Sequence, residues 1–431
     1  MRNTAVYNIS DIKFFKRRLT SWASQFKQSA VLQGTIDKNN GLYLKYNMLV
    51  AVDALDEIFL EKDSFNGLFN FHNDKRDWLF GYMSYDLKNE IEDLKSENLD
   101  FLKFPSLYFF QPKWVFEIID NQVKIHFPLN VKRKEMQLLF KEVMHFELEN
   151  YTNSPVRIKA RISKEEYTQS FEKLQQHIFR GDIYEVNYCQ EFFAQNVVLN
   201  PISIYQNLYS ISKPPFAAYY RCYDKYLMCA SPERFLKKEA TKLISQPIKG
   251  TRRRSPNTEE DNRLKKDLLN SSKEQSENVM IVDLVRNDLS KTASPKSVKV
   301  QELFGIYSFP QVHQMISTVV SELADDTPWT EAIRHAFPMG SMTGAPKIRA
   351  MQLIEKIEVF KRGLYSGAVG FVTPNSDFDF NVVIRSILYN STNKYLSLPV
   401  GSAITANANP KDEYEECCLK AKAMMEVLDV K

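Results

Sequence analysis

At 431 residues, with 44% hydrophobic and 26% charged side chains, the chain has the make-up of an ordinary globular protein, long enough for one to three domains. Its net charge of +4 is too mild to argue for nucleic acid, although it suits a small anionic substrate. No apolar run is long enough to span a bilayer, the N-terminus leads into no signal-peptide core, and the five cysteines form no Cys-x-x-Cys pair, so a cytoplasmic chain with free thiols is expected.

Residues 1–150 read as a mixed, aromatic-rich α/β region. Its clearest strand is residues 78–86, followed by a charged helical stretch over 88–97. The turn-rich residues 150–155 mark a boundary, with a second region over 155–431. Ser163-Lys164-Glu165-Glu166 is a capping box, opening a helix that Gly181 stops. Residues 183–193 read as a strand, and 216–248 as a meander of short strands, hence an antiparallel sheet. Thr258 begins the cap of another helix, and a second follows over 273–290. Residues 328–337 and 346–357 are helical, each with proline near the first turn. Residues 367–373, 378–388 and 395–400 are strands, and Asn409-Pro410 caps the last helix.

Several constellations carry possible chemistry. The strand-like run 242–248 delivers Lys249 to its end, where Gly250 permits a tight turn and Arg252, Arg253 and Arg254 follow. A lysine there can meet a small anion or act as an amine nucleophile; taken alone, it is more simply a solvated lysine in a basic turn. Glu274 and Glu277 share a helix face, and Glu413 and Glu416 repeat the spacing on the last helix. Two such pairs suit one hard cation, because Mg²⁺ typically takes one or two carboxylates plus substrate oxygens. The plainer reading is two exposed helices with an ordinary Glu416–Lys420 pair. Alternation places Arg385 in the strand 378–388 on one face with Val383 and Ile387, where its guanidinium wants a carboxylate partner. The small-residue loop 338–347 enters a helix and offers backbone amides to an anion, although it is no Walker A loop and a simple turn between helices fits it too. His313 is the only histidine near these segments and receives no role. No cysteine sits in a Gly-x-Cys-x-Gly elbow, so the chain shows no thiol glutaminase of its own.

Together these strings resemble the chorismate-utilising enzymes, the family of anthranilate, aminodeoxychorismate, isochorismate and salicylate synthases. The resemblance starts at Phe80-Gly81-Tyr82 and strengthens from Gly181-Asp182-Ile183-Tyr184-Glu185-Val186-Asn187 onward. It is carried by Ser231-Pro232-Glu233-Arg234, Pro247-Ile248-Lys249-Gly250-Thr251, Asp283-Leu284-Val285-Arg286-Asn287-Asp288-Leu289, Gly340-Ser341-Met342-Thr343-Gly344-Ala345-Pro346-Lys347 and Glu413-Tyr414-Glu415-Glu416. It implies an α+β fold of large antiparallel sheets packed as a sandwich, helices outside, and an active site in a cleft. Residues 155–431 would be the chorismate-binding catalytic domain.

Lysine at 249, where anthranilate synthases carry alanine, implies amination of chorismate. Lys249 would add to C2 while Glu233 protonates the departing C4 hydroxyl; ammonia would then attack C4, release the lysine and leave the enolpyruvyl group in place. The amine must be neutral, which a crowded cationic site would favour. The resemblance also implies Mg²⁺ held by Glu277 and Glu416, with Glu274 and Glu413 behind them. It puts Tyr365, Arg385 and Lys420 on the enolpyruvyl carboxylate, Thr343 on the ring pocket, and Gly401 at the start of a loop whose amides face substrate. Ammonia is expected from a separate glutaminase subunit.

The chain departs from the family pattern in places. Glu185 stands where isochorismate and salicylate synthases place a water-activating lysine, which argues against water as nucleophile. Gln314 replaces a frequent histidine, and Ser255 a frequent glycine. No Leu-Leu-Glu-Ser string is present, so tryptophan inhibition is not expected. Two rival readings are an anthranilate synthase component that expels pyruvate, and a non-catalytic anion- or nucleic-acid-binding protein using Arg252, Arg253 and Arg254.

Overall fold

The computed structural model describes residues 2–34, 43–149, 151 and 154–429. The meander forms as the sequence pattern requires: Phe216–Cys222 pairs antiparallel with Lys225–Ser231, and Arg234–Glu239 with Lys242–Gln246. Twenty strands among the described residues join one hydrogen-bonded sheet. The boundary expected at 150–155 lies partly outside the described residues, and the sheet runs across it. Gln28–Gln33 pairs with Phe216–Cys222, and Leu79–Met83 pairs with Ala368–Val372.

The sheet curls back on itself, which gives it two buried faces. Tyr220, Leu227 and Leu388 share one core with Leu236, Val369 and Phe380, and the Tyr220 hydroxyl donates to the Gly370 carbonyl across it. The outer face is covered by helices. Phe171 and Leu174 of Lys164–Phe179 and Cys417, Ala421 and Met424 of Pro410–Val427 pack with Tyr188 and Leu398. The α+β sandwich expected from the sequence is therefore the observed architecture.

Helix ends follow local chemistry. The Ser163–Glu166 capping box is complete, and Gly181 takes φ +81° after the helix. Asn257, not Thr258, caps Thr258–Leu269, accepting from the amides of Glu259 and Glu260 at 2.9 and 3.0 Å. The helix expected over 88–97 ends at Ile91. The chain folds back there over buried Lys88, whose Nζ donates to Asn89 Oδ1 at 2.7 Å and Ser96 Oγ at 2.9 Å.

Two strands break where the sequence reads through, and both breaks serve the cleft. Pro247 ends Lys242–Gln246, and a new strand, Ile248–Arg253, carries Lys249. Both pair with Val312–Glu322, but the register slips between Ile248 and Thr251, where Gly250 adopts φ +87°. Such a bulge re-aims the side chain beside it. The expected strand 378–388 is two, Phe378–Val382 and Ser386–Asn390. The first pairs with Arg234–Glu239 and the second with Lys225–Ser231, so the chain changes partner between them. Arg385 sits at that corner with φ +51°, outside any strand, so alternation with Val383 and Ile387 does not set its direction.

Candidate active site

A cleft of about 680 Å³ opens between the bulged lysine strand, the helices Ser272–Ser290 and Pro410–Val427, and the Arg385 corner. Lys249, Glu233, Glu274, Glu277, Tyr365, Arg385, Gly401, Glu413, Glu416 and Lys420 all line it. Side chains spread over more than 180 positions of sequence thus share one cavity. Thr343 does not line it: it is fully buried, with Oγ1 donating to the Met339 carbonyl at 3.1 Å to close the short 3₁₀ turn Gly340–Met342.

Lys249 is buried and its Nζ donates to Glu185 Oε1. The cationic surroundings expected from the sequence are not what encloses it. Burial alone pulls the amine down, but Glu185, Glu277 and Glu233 together overcome this and leave it above its ordinary value. In the free cleft Lys249 is therefore an ammonium. Glu233 has the opposite fate: burial lifts its carboxyl to about 7, against smaller lowering by Ser341, Lys249 and Lys420. Its Oε1 accepts from Ser341 Oγ at 2.7 Å. A carboxyl that stays protonated near neutrality is a serviceable general acid.

The acidic pairs converge from two helices onto the same wall. Three of the four carboxylates have an ion-pair partner: Arg252 for Glu274 at 3.1 Å, Lys273 for Glu277 at 3.9 Å and Lys420 for Glu416 at 2.6 Å. Glu413 is lifted to about 7 by burial and by Glu416, and Glu277 is raised by burial with Glu185 and Glu274 adding to it. Crowded, half-buried carboxylates of this kind are relieved by a divalent cation, so the donor set fits Mg²⁺. Among the described residues no three acidic, histidine or cysteine side chains gather tightly enough to hold an ion alone. An ion here would need ligand oxygens as well, which is how Mg²⁺ is commonly held.

Opposite this wall, the Arg385 guanidinium makes no ion pair or hydrogen bond with another side chain among the described residues and faces the cleft. Lys420 is tied to Glu416 and to the Gly401 carbonyl at 2.8 Å, so the ordinary helical pair exists and lies within the site. Gly401 belongs to the middle of Tyr395–Ile404 rather than to a loop, opposite Cys189, and a Cβ there would lie 2.5 Å from Asn187 Oδ1. Gln314 also lines the cleft, and its buried Oε1 has no partner among the described residues.

Three contributions escaped the sequence reading. Ser341 and Asn187 line the cleft, and Asn187 Nδ2 donates to the Ser341 carbonyl at 3.0 Å. Behind them, buried Arg362 pairs with Glu358 at 2.6 Å and donates to the carbonyls of Met342 and Asn187 at 2.7 and 2.8 Å. That pair clamps the serine turn to the strand Glu185–Ala194. Asn187 and Ser341 stand inside the family strings without a role assigned to them there, whereas Glu358 and Arg362 lie outside those strings. Of the loop 338–347, Ser341 and Met342 line the cleft and the start of the following helix does not. His313 lies behind the wall, bonded to Ser308 at 2.8 Å and Asp261 at 3.0 Å. Arg252, Arg253 and Arg254 are each paired, with Glu274, Glu260 and Asp261, so they form no open basic patch.

The chain with this cleft and antiparallel sandwich is a chorismate-binding enzyme. The family model of that description matches residues 24–426, and the chain belongs to this family. Over 362 residues the chain is 32% identical to aminodeoxychorismate synthase component 1 of Bacillus subtilis, an alignment covering 81% of this chain and 76% of that protein. It is 30% identical over 416 residues to anthranilate synthase component 1 of Aquifex aeolicus, covering 90% and 81%. The crystal structure of anthranilate synthase component I from Streptococcus pneumoniae shares the fold, with a TM-score of 0.79 at 24% identity over 91% of this chain and 94% of that one. No helix among the described residues is long and apolar enough to cross a membrane.

Proposed function

We propose that the chain is component I of an aminodeoxychorismate synthase, converting chorismate and ammonia to 4-amino-4-deoxychorismate for 4-aminobenzoate and folate synthesis. The observation that carries this reading is the placement of Lys249 and Glu233 in one cleft, close enough that each charge biases the other. An amine nucleophile and a neutral acid are the two groups that a stepwise substitution of hydroxyl by ammonia requires.

Hydroxide is a poor leaving group, so the C4 hydroxyl leaves as water with the Glu233 proton. Lys249 adds to C2 in the same step, dividing one hard substitution into two easier ones. Ammonia then takes C4 and the lysine departs. Arg385, which lines the cleft and has no ion pair among the described residues, and Tyr365 hold the enolpyruvyl carboxylate; Lys420 supports that end while bound to Glu416. Glu277 and Glu416, backed by Glu274 and Glu413, would hold Mg²⁺, which would supply the positive charge that offsets the ring carboxylate. Ammonia is supplied by a glutaminase subunit, and the complex works in the cytoplasm.

The test is to supply the purified chain with chorismate, Mg²⁺ and an ammonium salt, without lyase. An amino-substituted chorismate without pyruvate is expected, lost in Lys249→Ala. Anthranilate with pyruvate would move the chain to the rival synthase.

A further inference from the structure

The mechanism leaves one proton unassigned. Lys249 lies in the free cleft as an ammonium, which has no lone pair to add to C2. The group bonded to its Nζ is Glu185, whose side chain is 1% exposed. Glu185 does not line the cleft, whereas Lys249 does, so the carboxylate lies behind the amine and away from bound substrate. Its second oxygen, Oε2, is buried without a partner among the described residues. The backbone that carries it is closely packed: a Cβ at Gly344 would lie 2.1 Å from the Glu185 carbonyl oxygen. Two other carboxylates bias Lys249, Glu277 from the helix Ser272–Ser290 and Glu233 from its turn, but neither forms an ion pair with Nζ among the described residues. Glu233 is bonded to Ser341, and Glu277 lies near Lys273.

We propose that Glu185 is a catalytic residue, the base that takes the proton from Lys249 and returns it at the end of the cycle. The proposal rests on the amination reading. In the first half, one Nζ proton passes to Glu185, the amine lone pair forms the C2–N bond, and the C4–O bond breaks with the Glu233 proton, releasing water. Lysine is then bound to C2 as a secondary ammonium, Glu185 is neutral and Glu233 is ionised. In the second half, the ammonia lone pair forms the C4–N bond, the ring double bonds shift back, and the C2–N bond breaks with its electrons leaving on the lysine nitrogen. The new C4 ammonium gives a proton to Glu233, and Glu185 gives its proton back to the released Lys249 amine. The sum is chorismate plus ammonia to amino product plus water, with all three side chains restored.

A purely electrostatic Glu185 makes the opposite prediction. It would only hold Lys249 protonated, so removing its charge would free the amine and speed the reaction near pH 7.5. The experiment compares wild type, Glu185→Gln, Glu185→Asp and Glu185→Ala with chorismate, Mg²⁺ and ammonium, measuring kcat by product mass and chorismate binding by calorimetry. Expected is a loss of roughly 10²- to 10⁴-fold in kcat for Glu185→Gln with chorismate affinity within about threefold of wild type, and a smaller loss for Glu185→Asp. Added formate should restore part of the rate of Glu185→Ala, a rescue that a merely structural role would not give. A Glu185→Gln rate equal to or above wild type, or no formate rescue, overturns the assignment alone. A wild-type chain that binds chorismate yet forms no amino product overturns the amination reading and this base with it.

Discussion

Glu233→Gln is expected to make the protein more stable and nearly inactive, for one reason. Burial lifts this carboxyl from 4.5 to about 7. The folded chain therefore keeps a proton that the unfolded chain sheds, and stability falls as pH rises from about 4.5 through about 7. Below that window both states are protonated and nothing is lost. Above it both are ionised, and the folded state carries a buried charge that Lys249, Lys420 and Ser341 only partly offset. The gap amounts to about 3 kcal/mol. Glutamine has the same shape, still accepts from Ser341, and does not titrate. Urea unfolding in metal-free buffer should find variant and parent alike at pH 4.5, with the variant ahead by about 3 kcal/mol at pH 8. The ammonia-dependent rate should fall by roughly 10²- to 10⁴-fold, the usual worth of a general acid. A stability difference that stays constant with pH, or is larger at the acid end, would refute the reasoning.

Ser341→Ala removes the hydrogen bond that holds Glu233 down, so the alkaline limb of kcat/KM should move up by about one pH unit, the worth of a charge-assisted bond of about 1.5 kcal/mol. A limb that moves down would assign the acid elsewhere. Asp379→Ala strips the bidentate partner from fully buried Arg234, at 2.8 and 2.9 Å, and should cost about 3–5 kcal/mol in urea unfolding. Glu277→Gln or Glu416→Gln should weaken Mg²⁺ binding by roughly tenfold or more in calorimetry with chorismate present. Unchanged Mg²⁺ binding would remove these residues from the ion.

The sequence made the fold and the composition of the cleft legible because both rest on local signals. Alternating strands with turn residues announced the meander, and the serine box and Gly181 announced their helix. Repeated glutamate spacing placed four carboxylates on two helix faces that proved to share one wall. What stayed hidden depended on which segment meets which. The strand through Arg385 reads as continuous because residues 378–388 contain no glycine or proline to interrupt them; only the change of pairing partner breaks it. Thr343 and Ser341 are equivalent small polar residues on paper, and the 3₁₀ turn alone decides that the serine faces the cleft. The charge around Lys249 was misjudged for the same reason: the nearby arginines lie beside it in sequence, whereas Glu185 meets it only through folding.

Arg385 occupies the corner where the chain leaves one half of the sandwich for the other. The carboxylate wall stands on helices packed elsewhere on the sheet. A dianion gripped by both would work as a cross-brace, joining parts of the scaffold that share no direct strand pairing at that corner. Ligand occupancy then has a mechanical meaning: the cleft's widening motions are damped, and amides flanking residue 385 should exchange more slowly with solvent. At one hundred times the dissociation constant, such a brace adds about 2.7 kcal/mol to the stability of the whole fold.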